Sequence, residues 1–109
     1  MMQLIKLNVC ILFLLVSSVS SKPTEGWREI SVLAKSAIWA ASRTADHLGV
    51  KYKSMLKAYE NINTDIDTTF YWVFFIAECV EGKLQECQGK YLSSREGEKI
   101  INASCGPLA

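Results

Sequence analysis

The sequence predicts an α+β domain in which one helix packs on an antiparallel sheet, and three observations indicate this class. After residue 30 the apolar residues recur every three or four positions, as on one face of a helix. From Val50 onward the spacing becomes two, as in a strand. Short polar segments then separate four runs of strand-forming residues, and this order of elements is typical of a sheet wrapped on a single helix.

The N-terminal residues 1–21 have the pattern of a secretory signal peptide. Lys6 supplies a positive charge, residues 7–16 are apolar, and the small residues SSVSS follow. An apolar run of about ten residues is too short to span a bilayer. We therefore expect cleavage after Ser21, one mature domain over residues 22–109, an extracellular location, and no membrane partner once the signal is removed.

The helix is predicted over residues 30–48, with Gly49 as its C-terminal cap. The segment before it, residues 22–29, contains Pro23 and Gly26 and is predicted to be an irregular arm. The buried stripe of the helix is rich in alanine, which suits close packing against a sheet. This stripe consists of Ile30, Leu33, Ala37, Ala41, Ala45 and Leu48.

Four strands are predicted after the helix, near residues 50–59, 68–80, 85–92 and 99–105. The first alternates Tyr52, Leu56 and Ala58 on one face with lysines on the other. The second is apolar on both faces, which indicates a central strand or a strand whose second face is covered by a partner. Its faces are Phe70, Trp72, Phe74 and Ile76, and Tyr71, Val73, Phe75 and Ala77.

The charge of the chain argues against a nucleic-acid partner. There are 12 Lys and Arg and 11 Asp and Glu, and loss of Lys6 with the signal makes the two numbers equal. A near-neutral domain does not attract a polyanion, so we predict no binding to nucleic acid. The one basic cluster, Lys51, Lys53 and Lys57, is interpreted as the solvated face of a strand.

The sequence contains no arrangement typical of an active site or a metal site. His47 is the single histidine, and Asp46 beside it points about 100° away on a helix, so Asp46 cannot orient the imidazole as a catalytic triad requires. Asp65 and Asp67 by themselves do not form a calcium site. We therefore predict a binding protein that is not an enzyme and uses no cofactor or metal.

Three cysteines remain when Cys10 is lost with the signal peptide, and an odd number leaves one free or paired with another chain. A hairpin centred on Glu96 brings Cys87 opposite Cys105, whereas a hairpin centred on Lys83 brings Cys87 opposite Cys79. Only one of these bridges can form, and symmetry does not choose between them.

Two further stretches are candidates for function. YENINTDIDTTFYWVFF, residues 59–75, runs from polar residues straight into aromatic ones, so its polar part is either a plain connector or the working tip of a hairpin. Asn102 begins the sequence Asn-Ala-Ser, a candidate site of N-glycosylation in a secreted chain.

The order of these features resembles the secreted cystatins: a signal peptide, a glycine-bearing arm (EGW, residues 25–27), one helix, and an antiparallel sheet with C-terminal cysteines. The stretch EGEKIINASCGPLA, residues 96–109, is similar to the closing hairpin of arthropod secreted cystatins. The resemblance implies a cystatin-like fold, with one N-terminal helix packed on a four- to five-stranded antiparallel sheet. It also implies a Cys87–Cys105 disulfide that leaves Cys79 unpaired.

In that family the arm glycine and two hairpin loops form a wedge that occludes the active-site cleft of papain-like cysteine proteases without being cut. The resemblance therefore implies a secreted inhibitor of such proteases. The residues that would contact the protease are Gly26 and Trp27 in the arm, Asn63, Thr64, Asp65, Ile66 and Asp67 in the first loop, and Arg95, Glu96 and Gly97 in the second.

The first loop departs from the Gln-x-Val-x-Gly pattern of the family. Counting back from Phe70 places NTDID there, so Asn63 stands for the glutamine, Asp65 for the valine and Asp67 for the glycine. A carboxylate that enters a cleft loses its hydration, which is unfavourable without a partner. The alternative is a non-inhibitory secreted protein of the same fold, toxin-like or host-factor-binding, whose loops have diverged.

The expected state of the protein is a monomer. An unpaired Cys79 also permits a covalent dimer between two chains. Exchange of strands across the first hairpin loop permits a domain-swapped dimer.

Overall fold

The computed structural model describes residues 26–108, which form one helix and five strands. In chain order these are β1 (Arg28–Ile30), α1 (Lys35–Leu48), β2 (Lys51–Asn63), β3 (Thr68–Glu78), β4 (Leu84–Ser94) and β5 (Gly97–Pro107). The predicted signal peptide and its cleavage point lie outside the described residues. In residues 26–108, no helix is long and apolar enough to cross a membrane.

The strands form one antiparallel sheet in the order β1-β2-β3-β4-β5. Strands β2 to β5 are joined by short turns, so each strand pairs with its neighbours in the sequence. Helix α1 packs on one face of the sheet and leaves the other face open. The predicted α+β arrangement, with one helix on an antiparallel sheet of four to five strands, is confirmed, and the sheet has five strands.

The helix begins later than predicted, because the chain first forms a short strand. Ile30 pairs with Ala58 of β2, so the end of the predicted irregular arm is β1. The chain then turns through Ser31, whose carbonyl oxygen accepts a hydrogen bond from the Ala34 N–H at 3.1 Å. Leu33, predicted on the buried stripe, lies in this turn and is 80% exposed. The spacing of three and four continues across the turn in the sequence, so periodicity could not reveal the break.

The small residues of α1 let it lie close to the sheet. The alanines of the predicted stripe are buried, together with Ala40. At the closest approach Thr44 lies over Gly89 of β4, and a Cβ atom on Gly89 would overlap the Thr44 side chain. The buried Thr44 hydroxyl donates a hydrogen bond to the Ala40 carbonyl oxygen at 2.7 Å. Gly89 is therefore required by the distance between helix and sheet.

The helix ends as predicted at Gly49, which adopts a left-handed conformation with φ 73°. Its N–H donates to the Asp46 carbonyl oxygen at 3.2 Å. Glycine enters this conformation without the steric cost that a side chain adds, so it stops the helix and directs the chain into β2.

Strand β2 departs from the predicted alternation, since its pairing with β3 is irregular between Tyr52 and Ser54 and again between Met55 and Lys57. Each irregularity moves the following side chains to the other face. Met55 therefore packs on the core, whereas Leu56, predicted to face the core with Tyr52, is exposed. Because β1 pairs only with residues 58–60, the rest of β2 is an edge, and irregular pairing with lysines is a common protection of such edges.

The two faces of β3 differ, as its two apolar sets predict. Val73, Phe75 and Ala77 are buried beneath α1. Trp72 and Phe74 lie on the open face and are half-buried. β3 is the central strand, with β2 and β4 on its two sides.

A disulfide joins Cys87 of β4 to Cys105 of β5, as the resemblance implies. The two residues are directly opposite in the register and both are buried. The alternative bridge to Cys79 cannot form, because the register of β3 and β4 places Phe75 opposite Cys87. Cys79 is a buried free thiol that lies 3.6 Å from the Glu81 carboxylate.

Candidate functional site

The register of the sheet carries two hairpin loops to the same end of the molecule. Asn63 pairs with Thr68 at the end of the β2–β3 hairpin. Thr68 pairs with Ser94, and Ser94 pairs with Gly97 at the end of the β4–β5 hairpin. We call the surface formed by Gly26, residues 63–67 and residues 95–97 the loop end.

Hydrogen bonds within the first loop hold its shape. The Asn63 side-chain oxygen accepts a bond from the Asp65 N–H at 3.1 Å, which is the usual role of Asn at the start of a turn. The Asp67 N–H lies 3.4 Å from the Thr64 carbonyl oxygen. The Thr68 hydroxyl donates to the Ile66 carbonyl oxygen at 3.0 Å. The amide of Asn63 is thus used within the loop.

Asp67 adopts a left-handed backbone conformation, with φ 51°, and is the one non-glycine residue of the described chain that does so. Aspartate tolerates this conformation better than most residues, although glycine does so at lower cost. Asp67, which stands where the cystatin pattern has glycine, therefore keeps a backbone conformation that favours glycine. Its carboxylate accepts from the Arg95 guanidinium at 2.6 Å, which links the two hairpin loops.

The Arg95–Asp67 pair lies largely in solvent, since the side chains are 88% and 66% exposed. Exposed ion pairs of this kind contribute about 0–1 kcal/mol to stability. The pair therefore contributes little to the stability of the fold. Its consequence for the site is that the charge of one loop carboxylate is compensated.

The arm approaches the loop end along β2. Gly26 has φ 86°, and a Cβ atom there would lie 2.8 Å from the Asn61 side-chain nitrogen. Trp27 packs edge-to-face on Trp72 with ring centroids 5.7 Å apart. Arg28 forms an ion pair with Glu60. These contacts fix Gly26 beside the last residues of β2, close to the first loop, and make Trp27 a packed anchor on the open face of the sheet.

Two isoleucines make the loop end partly apolar. Ile66, at the turn of the first hairpin, is 59% exposed, and Ile62, one residue before the loop, is 55% exposed. Ile66 belongs to the predicted loop, whereas Ile62 precedes it and was not predicted as a site residue. An isolated apolar residue between Asn61 and Asn63 is the signal that could have found it. These two are the large apolar side chains that the described loops and their flanking residues expose at this end.

A second group of hydrogen-bonded residues joins α1 to β4 and β5. The Trp39 indole N–H lies 3.0 Å from the Tyr91 hydroxyl and 3.2 Å from the Glu98 carboxylate. Burial and a hydrogen bond with Glu98 raise the pKa of Tyr91 to about 12. The same hydrogen bond lowers the pKa of Glu98. Trp39 is thus a boundary residue that fastens α1 to β4 and β5.

Beside this group is an open cleft of about 310 Å³, lined by Arg43, Asp46, His47, Tyr91, Glu98, Lys99 and Ile100. No serine or cysteine among the described residues lines it. Within residues 26–108, no three His, Cys, Asp or Glu side chains could hold a metal ion together.

The basic cluster on β2 divides among different contacts. Lys53 pairs with Glu78 at 3.5 Å. The Lys57 ammonium lies over the Tyr59 ring, 5.9 Å from its centroid. Lys51 is exposed at the start of the strand. The three lysines therefore do not converge on a common anion.

Comparison of the chain with protein-family models, with curated proteins and with solved structures finds no match.

Proposed function

We propose that this protein is a secreted, monomeric inhibitor of papain-like cysteine proteases, with a cystatin-like fold, whose loop end occludes the active-site cleft. The observation that carries the proposal is the position of three segments that are distant in sequence. Gly26, residues 63–67 and residues 95–97 lie at one end of the sheet, in the order arm, first loop, second loop. A wedge requires this arrangement.

The internal bonding of the loop end also supports inhibition. The first loop is held by its own hydrogen bonds and is tied to the second through Asp67 and Arg95. A surface that is ordered before binding loses less conformational entropy on association. The turn at Thr64–Asp67, with its left-handed residue, is also unlike the extended peptide that a protease cleaves.

The departures in the first loop are compatible with a wedge. The carboxylate of Asp67 already forms an ion pair with Arg95, so its charge is compensated when the loop enters the cleft. Ile66 supplies an exposed apolar side chain at the tip, next to the position where Asp65 stands for the family valine. We infer that Ile66 and Ile62 make the apolar contacts of the wedge.

The test is a titration of the purified mature protein against papain and a cathepsin L-type protease, with a fluorogenic peptide substrate. We expect nanomolar inhibition that is lost when residues 22–27 are deleted. Ile66→Glu should weaken inhibition by about 100-fold, as expected for an apolar residue central to an interface. The matched control is Val80→Glu, an exposed apolar residue in the turn at the opposite end of the sheet, which should leave inhibition unchanged.

Absence of inhibition at micromolar concentration would overturn the proposal. The alternative would then be favoured: a secreted protein of the same fold that binds a different extracellular partner. One observation supports that alternative, namely that neither Asp65 nor Glu96 forms an ion pair with a described residue. Two uncompensated carboxylates at the tip suit a basic partner surface.

The monomeric state has a separate test, because Cys79 is free and buried. The intact mass under non-reducing conditions should correspond to one chain with one disulfide and one free thiol. A doubled mass would show a covalent dimer. A doubled size in gel filtration with a single-chain mass would show a domain-swapped dimer.

A further inference from the structure

A row of paired residues crosses the open face of the sheet and ends at Asn102. Tyr59 lies opposite Trp72, Trp72 opposite Lys90, and Lys90 opposite Asn102. Directly opposite residues of antiparallel strands share a face, so Asn102 of the edge strand β5 belongs to the same face as Trp72. Adjacent strands lie about 4.8 Å apart, which puts Asn102 about 10 Å from Trp72. The first two sugar rings of a glycan span such a distance.

The serine of the Asn-Ala-Ser sequence is connected to the same tryptophan. The Trp72 indole N–H donates to the Gln88 side-chain oxygen at 2.8 Å. The Gln88 amide nitrogen donates in turn to the Ser104 hydroxyl at 2.8 Å. Each of the two functional residues of the sequon is therefore separated from Trp72 by one side chain. Lys90 lies between Asn102 and Trp72, and Gln88 lies between Ser104 and Trp72.

The open face carries an aromatic cluster, which consists of Trp27, Tyr59, Trp72 and Phe74. The centroid distances are 5.7 Å for Trp27–Trp72, 5.3 Å for Trp72–Phe74 and 6.1 Å for Tyr59–Phe74. These rings are not covered by the helix, which packs on the other face.

The Lys90 ammonium lies 4.4 Å from the Trp72 ring centroid and 6.0 Å from that of Trp27. It makes no ion pair with a described residue. A ligand that fits here has an apolar face for the rings and oxygen acceptors for the ammonium. An N-acetylglucosamine ring has both, in its C–H face and in its hydroxyl and acetamide oxygens.

We propose that Asn102 carries an N-linked glycan whose first sugar rings pack across Lys90 onto the aromatic cluster. In the transfer step the side-chain nitrogen of Asn102 forms a bond to C1 of the first N-acetylglucosamine of a lipid-linked oligosaccharide. The bond from C1 to the diphosphate oxygen breaks, the lipid diphosphate leaves, and the amide nitrogen loses one proton to a base of the transferase. This inference depends on secretion of the chain and does not depend on protease inhibition.

The timing of the transfer follows from the burial of Ser104. Its hydroxyl is inaccessible and bonded once β4 and β5 have paired, so a transferase must act earlier. The disulfide from Cys105, the residue after Ser104, closes the same hairpin. Glycan transfer and disulfide formation therefore compete, and the sequon is occupied in only a fraction of the molecules.

The test begins with expression of the full chain in eukaryotic secretory cells and intact-mass measurement of the secreted protein. We expect a mixture of a glycosylated and an unmodified form, with only the unmodified form in Asn102→Gln. The Cys87→Ala/Cys105→Ala variant should be more fully glycosylated. An unmodified secreted protein, or a chain that stays unmodified in the cytosol, would overturn the proposed site. Equal occupancy with and without the disulfide would overturn the competition.

Packing of the glycan on the open face is read from tryptophan fluorescence. Trp39→Phe leaves Trp27 and Trp72 as the only indoles, since the chain has 3 tryptophans. In that background the acrylamide quenching constant should be about twofold lower for the glycosylated form than for the separated unmodified form of the same secreted protein, because sugar rings cover the indoles.

The matched control moves the glycan to the loop end. Asp65→Thr together with Asn102→Gln places the sequon at Asn63, with a similar gain in mass and no expected change in quenching. A glycan at Asn102 that leaves quenching unchanged, or one at Asn63 that lowers it equally, would overturn the packing on the aromatic cluster.

Discussion

The two faces of the sheet are stabilised by different interactions. On the helix-covered face, alanines of α1 and Gly89 of β4 allow close contact, and a disulfide joins β4 to β5. On the open face, half-buried aromatic rings contact one another, a lysine covers them, and Gln88 joins β4 to β5 by a hydrogen bond. The difference shows that an apolar sheet face without a helix can still be held by its own side chains.

Within β3 the two faces can be compared at neighbouring residues, because Phe74 and Phe75 point to opposite faces. Phe75 is fully buried beneath the helix, and Phe74 is half-buried on the open face. Phe75→Ala should destabilise the protein by about 4 kcal/mol, since it leaves a cavity, whereas Phe74→Ala should cost about 1–2 kcal/mol. Urea unfolding of the two variants measures the difference. Equal losses would mean that the open face is packed as tightly as the covered one.

A second contrast lies in adjacent rows of β4 and β5, where Cys87–Cys105 is covalent and Gln88–Ser104 is hydrogen-bonded. Removing the disulfide with Cys87→Ala/Cys105→Ala should cost about 3 kcal/mol, mainly through greater freedom of the unfolded chain. Ser104→Ala should cost about 1 kcal/mol. Both are measured on unglycosylated protein by thermal and urea unfolding. A larger loss for Ser104→Ala would show that the polar row holds β5 more firmly than the bridge.

The close approach of helix and sheet can be tested at Gly89. Gly89→Ala should cost about 2 kcal/mol, because its methyl group overlaps Thr44 and pushes α1 outward. Adding Thr44→Ala removes the two closest atoms, although the Cβ of residue 44 stays at 3.2 Å, and should restore most of the loss. The double-mutant cycle in urea measures the coupling between the two positions. If the two effects simply add, the overlap is not the cause.

Because the Tyr91 hydroxyl is buried beneath the helix, the free energy of unfolding should depend on pH in the range where this tyrosine titrates. The folded state holds the Tyr91 proton up to a pKa of about 12, whereas the ordinary value is 10.0. The unfolded state therefore loses this proton first, so stability present below pH 10 is lost as the pH rises toward 12. We expect a loss on the order of 1 kcal/mol over this window.

Tyr91→Phe should remove the loss of stability that Tyr91 causes at alkaline pH. The free energy of unfolding should then change less with pH. Tyr52→Phe is the variant for comparison, since burial also raises the pKa of Tyr52, which lies away from Glu98 and Trp39. An unchanged profile in Tyr91→Phe would mean that the Tyr91 hydroxyl is open to water.

Much of the fold could be predicted from local patterns, whereas the site could be predicted only as a set of segments. The hairpin ends, the Gly49 cap and the two apolar faces of β3 follow from residue spacing and turn-forming residues. The start of the helix was predicted wrongly, because periodicity does not detect a strand that needs a distant partner. The pairing of Asp67 with Arg95 could not be predicted, since it depends on the register of three strands.

From the helix onward, the sequence by itself determined the kinds of elements and their order, because helix and strand periodicities and turn residues act over a few neighbouring positions. Only the tertiary structure decided which distant residues meet: Thr44 with Gly89, Asp67 with Arg95, and Gly26 with the end of β2. These contacts depend on the strand register and on the distance between helix and sheet. Both are set by the packing of the whole core.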